Sequence, residues 1–209
     1  MDWIILAVLA LIQTFTLSLI PLLSGYVVRV ISGKTPAPMV DEWGKLFIDG
    51  WKLNIIGFVY MIPAILVFLV LGGLGAIGML ASEAAGGDPA AMGAAALSVI
   101  GGALLAVLVA LVMSFIALFA IMRFAHKDSF GEAFNIGAIL GHIGKLGWGT
   151  WIAAIIVLLI VAFVYGFVVG LIGMIPFLGF IITLFLNVAF AVFYGRYLAL
   201  VYEAAPAPA

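Results

Sequence analysis

Residues 40–52 read VDEWGKLFIDGWK, and long apolar stretches lie on both sides of this segment. Its charged residues recur at helical spacing on one face: Asp41, Lys45, Asp49 and Lys52. Its larger apolar residues fall on the opposite face: Trp43, Leu46, Phe47 and Trp51. A helix divided in this way lies along a membrane surface, with its rings at headgroup level and its charges in water. The segment therefore predicts an interfacial helix in a membrane protein.

The composition of the 209-residue chain excludes an ordinary soluble domain. Hydrophobic residues make up 67% of the chain and charged residues 8%, whereas soluble proteins average about 45–50% and 25%. The net charge is −1, and the Lys and Arg residues form no basic stripe, so a nucleic-acid partner is not expected. The absence of cysteine excludes disulfides and thiolate chemistry. The sequence predicts no cofactor and no metal site.

Five apolar stretches are long enough for a transmembrane helix, which needs about 20 residues. They cover residues 3–28, 54–80, 97–122, 148–173 and 177–201. The short turn at 174–176 predicts that the last two spans form a tight antiparallel hairpin, whereas residues 82–96 predict a flexible loop. The predicted fold class is all-α, an integral membrane bundle of five transmembrane helices. A single domain over residues 1–203 and a disordered tail over 204–209 are expected.

Two interfacial amphipathic helices on the cytoplasmic side complete the predicted fold, in residues 40–52 and 123–147. Ser129 and Glu132 have the spacing of a capping box for the second helix. With residues 40–52 in the cytoplasm, all eight basic residues lie inside: Arg29, Lys34, Lys45, Lys52, Arg123, Lys127, Lys145 and Arg196. Basic residues are retained on the cytoplasmic side. Five spans then place the N-terminus outside and the C-terminus in the cytoplasm of a cell.

Residues 43–50 and 130–137 share the pattern aromatic-Gly-x-x-Phe-x-x-Gly. The pattern favours a parallel repeat of residues 3–80 and 97–173, with the span at 177–201 added. A general likeness between interfacial helices explains the pattern equally well.

Short motifs are spread over nearly the whole chain: Ile20-Pro21, GYVVR at 25–29, WG at 43–44, DG at 49–50, FGEAF at 130–134 and GWG at 147–149. In these motifs the chain resembles an archaeal family of multi-pass membrane proteins, frequent in methanogens and described as domain of unknown function 4013. The resemblance implies an archaeal membrane protein without an assigned activity. It supplies no catalytic residues.

Polar side chains inside the predicted spans are the first candidates for a functional site, because lipid offers them no hydrogen-bond partner. Gln13 lies near the middle of the first span, and Asn187 lies near the middle of the fifth, with Thr183 one turn away. They predict either a midplane polar site or ordinary hydrogen bonds between helices. The second interpretation carries more weight, because no ionisable residue lies at midspan.

Small and aromatic residues suggest packing and anchoring roles. The glycine face of Gly166, Gly170 and Gly173 predicts close helix contact, within one protomer or between copies. Four tryptophans are predicted to anchor the cytoplasmic interface: Trp43, Trp51, Trp148 and Trp151.

Three functions are compatible with these patterns. A non-enzymatic membrane scaffold is favoured, with the lipid bilayer and a second copy or another membrane protein as partners. The alternative is a small transporter or channel for an ion or small solute that uses the midplane site. An enzyme acting on lipid headgroups through Asp128, Glu132 or His142 ranks third, because the sequence contains no known catalytic motif. The spacing of His126 and His142 does not suit a metal site, and both are predicted to be solvated.

Overall fold

The computed structural model describes residues 3–36 and 38–205, and the regular structure in these residues is helical. The predicted all-α class is confirmed. In chain order the α-helices are α1 (Trp3–Phe15), α2 (Leu22–Ile31), α3 (Trp43–Val67), α4 (Gly73–Ala84), α5 (Pro89–Lys127), α6 (Ile136–Leu146), α7 (Trp148–Gly173) and α8 (Leu178–Glu203). A π-helical turn (Phe68–Gly72) joins α3 to α4, and a 3-10 turn (Phe130–Phe134) precedes α6.

Four helical stretches in the described residues are long and apolar enough to cross a membrane: Trp43–Ala84, Pro89–Lys127, Trp148–Gly173 and Leu178–Glu203. Their large apolar side chains are widely exposed; Phe163 and Phe167 of α7, for example, are 76% and 63% accessible. Apolar surface of this extent suits lipid rather than water. The four helices indicate a membrane location, but the predicted count of five spans is not reproduced.

The predicted first span, residues 3–28, consists of two short helices instead. α1 has 13 residues and α2 has 10, which correspond to about 20 Å and 15 Å, against a hydrocarbon core of about 30 Å. Between them Leu17 and Ser18 both have positive φ, 49° and 63°, a conformation that ends a right-handed helix. α1 and α2 contact each other, and both contact α8. Residues 3–31 therefore form a helical hairpin, the α1–α2 hairpin.

The predicted interfacial helix over residues 40–52 does not exist as a separate element. α3 begins at Trp43 and continues without interruption into the membrane-length helix. Asp49, which the pattern places in water, is buried and accepts a bond from Lys52 at 3.2 Å. The reason is that α2 packs on the first turns of α3, where Gly25 lies directly against the backbone of Leu46.

The described chain divides into two compact units. The first contains Met1–Ile55 and Phe119–Ala209, and its core joins α1, α2, α3 and α8 through Leu6, Tyr26, Leu46 and Val188. In this unit α7 and α8 are connected by a short turn and pack against each other, as the sequence predicts for the last two spans.

The second unit, Ile56–Leu118, is held together by close helix packing. A Cβ on Gly75 would lie 2.7 Å from the carbonyl oxygen of Ala95, and a Cβ on Gly102 would lie 2.6 Å from the nitrogen of Gly72. The loop predicted over 82–96 is much shorter, because α4 continues to Ala84 and α5 begins at Pro89. Proline favours this first helical position, since its missing N–H group would have no helical partner there.

Two other sequence patterns take unexpected conformations. The first copy of the repeated pattern, residues 43–50, is α-helical, whereas the second, residues 130–137, is a 3-10 turn followed by the start of α6. Ser129 makes no side-chain capping bond; the cap of α6 is Asn135, whose Oδ1 accepts from the Ala138 nitrogen at 3.2 Å. Residues 206–209 of the predicted tail lie outside the described residues.

Candidate functional site

A cavity of about 380 Å³ lies between the α1–α2 hairpin and α8. Four of its lining residues carry neutral hydrogen-bonding groups: Gln13, Ser24, Asn187 and Tyr194. The remaining lining residues are apolar: Leu23, Val27, Ile31, Leu53, Ile121, Phe190 and Ala191. A mostly apolar pocket with a few convergent polar groups is the usual form of a small-molecule site.

Gln13 connects the two helices of the hairpin at the cavity wall. Its Nε2 donates to Ser24 Oγ at 2.9 Å, and its Oε1 accepts from the Ser24 backbone nitrogen at 3.0 Å. That nitrogen belongs to the first turn of α2, whose N–H groups have no partner within the helix. The Gln13 side chain therefore supplies the cap that the residues before α2 do not provide.

Asn187 lies near the middle of α8 and faces the same cavity. Its Oδ1 accepts a hydrogen bond from the hydroxyl of Tyr165 on α7. Tyr165 in turn stacks on Phe190, with ring centroids 4.1 Å apart. Thr183 is not part of the lining, and its hydroxyl donates to the carbonyl of Phe180 in its own helix at 3.0 Å. The structure thus brings Gln13 and Asn187 to one cavity and leaves Thr183 outside it.

Ser24 and Tyr194 also belong to this site, although neither is among the residues predicted from the sequence. Asn187, Phe190, Ala191 and Tyr194 recur at i, i+3, i+4 and i+7, the spacing of one helix face. From the sequence, that spacing could have placed Tyr194 on the same face of the helix as Asn187. Ser24 offered no comparable signal, because its position depends on the chain reversal before α2.

A second polar cluster lies where α5, α6 and α8 meet. Both histidines of the chain, His126 and His142, place their rings 4.2 Å from the ring of Tyr202. His142 Nε2 lies 3.2 Å from the Tyr202 carbonyl, and His126 Nε2 lies 3.5 Å from a carboxylate oxygen of Glu203. The prediction that these histidines are simply solvated is therefore wrong.

Burial disfavours the charged form of His142. It lowers the pKa of the imidazole, because the charged form loses its hydration. The hydrogen bond to the Tyr202 carbonyl acts in the opposite direction, while Arg123, Lys145 and His126 add repulsion between like charges. His142 is consequently harder to protonate than a histidine in water.

Trp151 is buried beside this cluster and does not lie on the protein surface. It is only 1% exposed and meets Phe119 edge-on at 5.1 Å. Its indole nitrogen is buried and has no hydrogen-bond partner in the described structure. The predicted anchoring role of Trp151 therefore does not fit, whereas Trp43, Trp51 and Trp148 are 49%, 36% and 52% exposed.

The three residues considered for headgroup chemistry do not form one catalytic set. Asp128 pairs with Lys45 at 3.0 Å, Glu132 pairs with Arg123, and His142 contacts Tyr202. Over residues 3–36 and 38–205, no group of three or more potential metal ligands is present. This arrangement gives neither an acid–base pair nor a metal centre within the described part of the chain.

A second cavity of about 390 Å³ is lined mainly by charged residues near the start of α3. Most of these charges are already neutralised. Arg29 pairs with Asp41 and Glu42, and Lys45 pairs with Asp128. Because the pairs are satisfied internally, this cavity has a structural explanation in the attachment of the 32–42 connection to α2.

The family comparison agrees with the motifs found in the sequence. A protein family of unknown function, DUF4013, matches residues 8–174, which is most of the chain. The chain belongs to this family. The DUF4013 region contains Gln13, Ser24 and both histidines, whereas Asn187, Tyr194 and Tyr202 on α8 lie beyond it. No curated protein and no solved structure matches the chain.

The DUF4013 region also contains the glycine face of α7. At Gly166, Gly170 and Gly173 a Cβ would meet no atom of the described structure within 4 Å. Other glycines are packed tightly; Gly195 of α8, for instance, lies against Val30 of α2. Gly173 nevertheless lies close to Gly179 at the start of α8, so a Cβ on Gly179 would be 3.3 Å from the Gly173 Cα. The space beside Gly166 and Gly170 is open in the described part of the protomer.

Proposed function

We propose that this protein is a small membrane transporter or channel that binds an uncharged solute between the α1–α2 hairpin and α8. One observation carries the proposal: Gln13 and Asn187, which are far apart in sequence, line a single cavity of about 380 Å³. Pockets that bind small molecules measure about 300–1,000 Å³ and combine apolar walls with a few polar groups. Both properties are present here.

The broken first segment supports the same function. Transporters commonly build their substrate sites from discontinuous helices near the middle of the membrane. Residues 16–21 interrupt the apolar segment between Gln13 and Ser24, the two polar residues on the hairpin side of the site.

The proposal includes a membrane topology. Four helices cross the bilayer, and the α1–α2 hairpin enters and leaves on one side. All eight basic residues then remain on the cytoplasmic side, as does the end of α8. The beginning of α1 also lies in the cytoplasm, in contrast to the outside position that a single first span requires. We also propose, from the family resemblance, that the protein comes from an archaeon.

Cysteine labelling tests whether water and solute reach the cavity. The natural chain has no cysteine, so Gln13→Cys and Asn187→Cys can be exposed separately to a membrane-impermeant maleimide in sealed vesicles. We expect labelling of both from at least one side. Leu159→Cys, on the exposed apolar surface of α7, is the matched control that should remain unlabelled, and Lys127→Cys reports that the reagent is active. Absence of labelling at both cavity positions would contradict a solute path.

Transport itself requires a flux measurement. Proteoliposomes containing the protein should swell faster in urea or glycerol than protein-free vesicles. Asn187→Leu removes the amide while keeping a similar volume, and it should reduce the swelling rate toward that of the lipid. If vesicles with the natural protein swell no faster than protein-free vesicles in either solute, whichever way the protein is inserted, this would count against transport of small uncharged solutes.

A second candidate is a non-enzymatic scaffold that assembles with further copies in the membrane. It is favoured by the unfilled glycine face of α7 at Gly166, Gly170 and Gly173. Small residues allow the close backbone approach on which helix association in lipid depends. Crosslinking between copies distinguishes this candidate from a monomeric transporter.

A further inference from the structure

The charge of the cavity lining limits the ligand that it can hold. Among the described residues that form the wall there is no Asp, Glu, Lys, Arg or His. A fully charged group removed from water costs several kcal/mol unless an opposite charge or several hydrogen bonds compensate it. The lining provides no opposite charge. An uncharged ligand is therefore favoured.

The hydrogen bonds already made within the cavity wall further limit the kinds of ligand that the cavity can bind. The acceptor oxygen of Gln13 is used by the Ser24 nitrogen, and that of Asn187 is used by the Tyr165 hydroxyl. The Asn187 side-chain amide and the Tyr194 hydroxyl both belong to the cavity lining. An amide nitrogen can only donate. Asn187 Nδ2 therefore offers donors to a ligand, and the Tyr194 hydroxyl can donate a hydrogen bond beside it.

The rest of the wall is apolar. Leu23, Val27 and Ile31 form a stripe along α2, and Phe190 faces them from α8. Removing an apolar ligand surface from water stabilises binding by about 25 cal/mol per Å². The wall therefore offers a place for an apolar body next to a small group of donors.

We infer that the cavity binds an uncharged molecule with an apolar body and a carbonyl oxygen, such as a ketone, a quinone or an ester. The carbonyl oxygen accepts hydrogen bonds from Asn187 Nδ2 and the Tyr194 hydroxyl, and the body packs against the α2 stripe. This ligand class rests on the proposed binding site and is independent of whether the ligand crosses the membrane.

Photolabelling with benzophenone tests the ligand class. Benzophenone is an uncharged aryl ketone that inserts into neighbouring C–H bonds under ultraviolet light, and mass spectrometry locates the labelled residues. With the full chain in lipid nanodiscs, we expect labels on the α2 stripe or near Phe190. Replacing the donors by Asn187→Leu and Tyr194→Phe should reduce labelling about tenfold, the effect expected from the loss of one to two hydrogen bonds.

Matched controls separate the chemistry from damage to the fold. Thr183→Val lies on the same helix but outside the cavity, and it should label like the natural protein. Tyr194→Phe alone keeps the ring and the bond between Asn187 and Tyr165, so a reduced signal in this variant cannot come from loss of that bond. Benzophenone-4-carboxylate should fail to compete, because its charge has no partner in the wall.

Each outcome decides one point. Equal labelling of the natural protein and the donor variants would overturn the assignment of a carbonyl ligand. Effective competition by the carboxylate would overturn the assignment of an uncharged one. Maleimide labelling at position 13 or 187 without any benzophenone label in the cavity would refute the ligand class and leave the proposed function standing. Failure of both labelling experiments would refute the site itself.

Discussion

Single glycines decide how closely the hairpin approaches α3. A Cβ at Gly25 would collide with the Leu46 carbonyl, which is backbone and cannot rotate away. Gly25→Ala should gain up to about 1 kcal/mol in helix propensity but lose about 1–3 kcal/mol through overpacking. We expect a lower melting temperature in detergent. Gly44→Ala, in open space on α3, is the control and should melt at or above the natural temperature. Equal melting of the two variants would show that α2 does not pack on α3.

His142 predicts the direction of a pH effect. Its pKa is lowered by burial, whereas an unfolded histidine titrates near about 6.5. Between these two values the unfolded state binds more protons, so acidification lowers the free energy of unfolding, by at most about 1.4 kcal/mol per pH unit. Above about pH 6.5, protonation of His142 costs the folded state no stability. The cost grows as the pH falls from there toward the folded-state pKa.

The measurement compares melting temperatures of the natural protein and His142→Gln from pH 7.5 to pH 5. Glutamine retains an N–H donor for the Tyr202 carbonyl but does not titrate. The natural protein should lose more stability than the variant on acidification, because burial and, to a smaller extent, the charges of Arg123, Lys145 and His126 oppose a proton on His142. Parallel curves for the two proteins would rule out this origin of the pH dependence.

At the scale of helices, the α1–α2 hairpin predicts which positions share a side of the membrane. Ile4→Cys, near the start of α1, and Lys34→Cys, after α2, should react with an impermeant maleimide from the same side of sealed vesicles. Met174→Cys, in the turn between α7 and α8, should react from the opposite side, because α7 crosses the bilayer. Reaction of Ile4→Cys together with Met174→Cys would instead require that residues 3–31 span the membrane.

This hairpin also marks the limit of what the sequence predicts about the fold. The length of an apolar run is easily measured, but a run that turns back has the same composition as one that continues. At the reversal Leu17 and Ser18 adopt the left-handed backbone conformation. Neither is a glycine, so no glycine in the sequence signals the turn at these positions. Thr14, Thr16, Ser18 and Pro21 were the available signal. The α7–α8 hairpin was predictable because its two spans have nearly the full membrane length and only a short turn between them.

The candidate site, like the fold, was predictable only in part from the sequence. Gln13 and Asn187 stand out because a neutral amide is rare in an apolar stretch, and both line the cavity. The cluster around Tyr202 was not predictable, since His142 and Tyr202 are 60 residues apart in sequence. Their contact results from the packing of α6 and α8 on α5. Local pattern carries no information about such a contact.

At the scale of the whole molecule, the unfilled glycine face of α7 predicts association between copies. Two backbones can approach closely along Gly166, Gly170 and Gly173, where a Cβ meets no described atom within 4 Å. In membranes, Gly170→Cys should therefore form an intermolecular disulfide under mild oxidation. Val168→Cys is exposed on roughly the opposite face of α7 and is the matched control.

If the interface is specific, crosslinking should depend on the small size of the side chains along the glycine face of α7. Adding Gly166→Leu to Gly170→Cys places a large side chain one turn away and should reduce crosslinking by roughly tenfold, which corresponds to about 1.4 kcal/mol of association free energy. Equal crosslinking at positions 168 and 170 would indicate random collision in the bilayer. A specific dimer that leaves the cavity unlabelled by maleimide would favour the scaffold over the transporter, whereas a labelled cavity in a dimer would make each protomer its own binding unit.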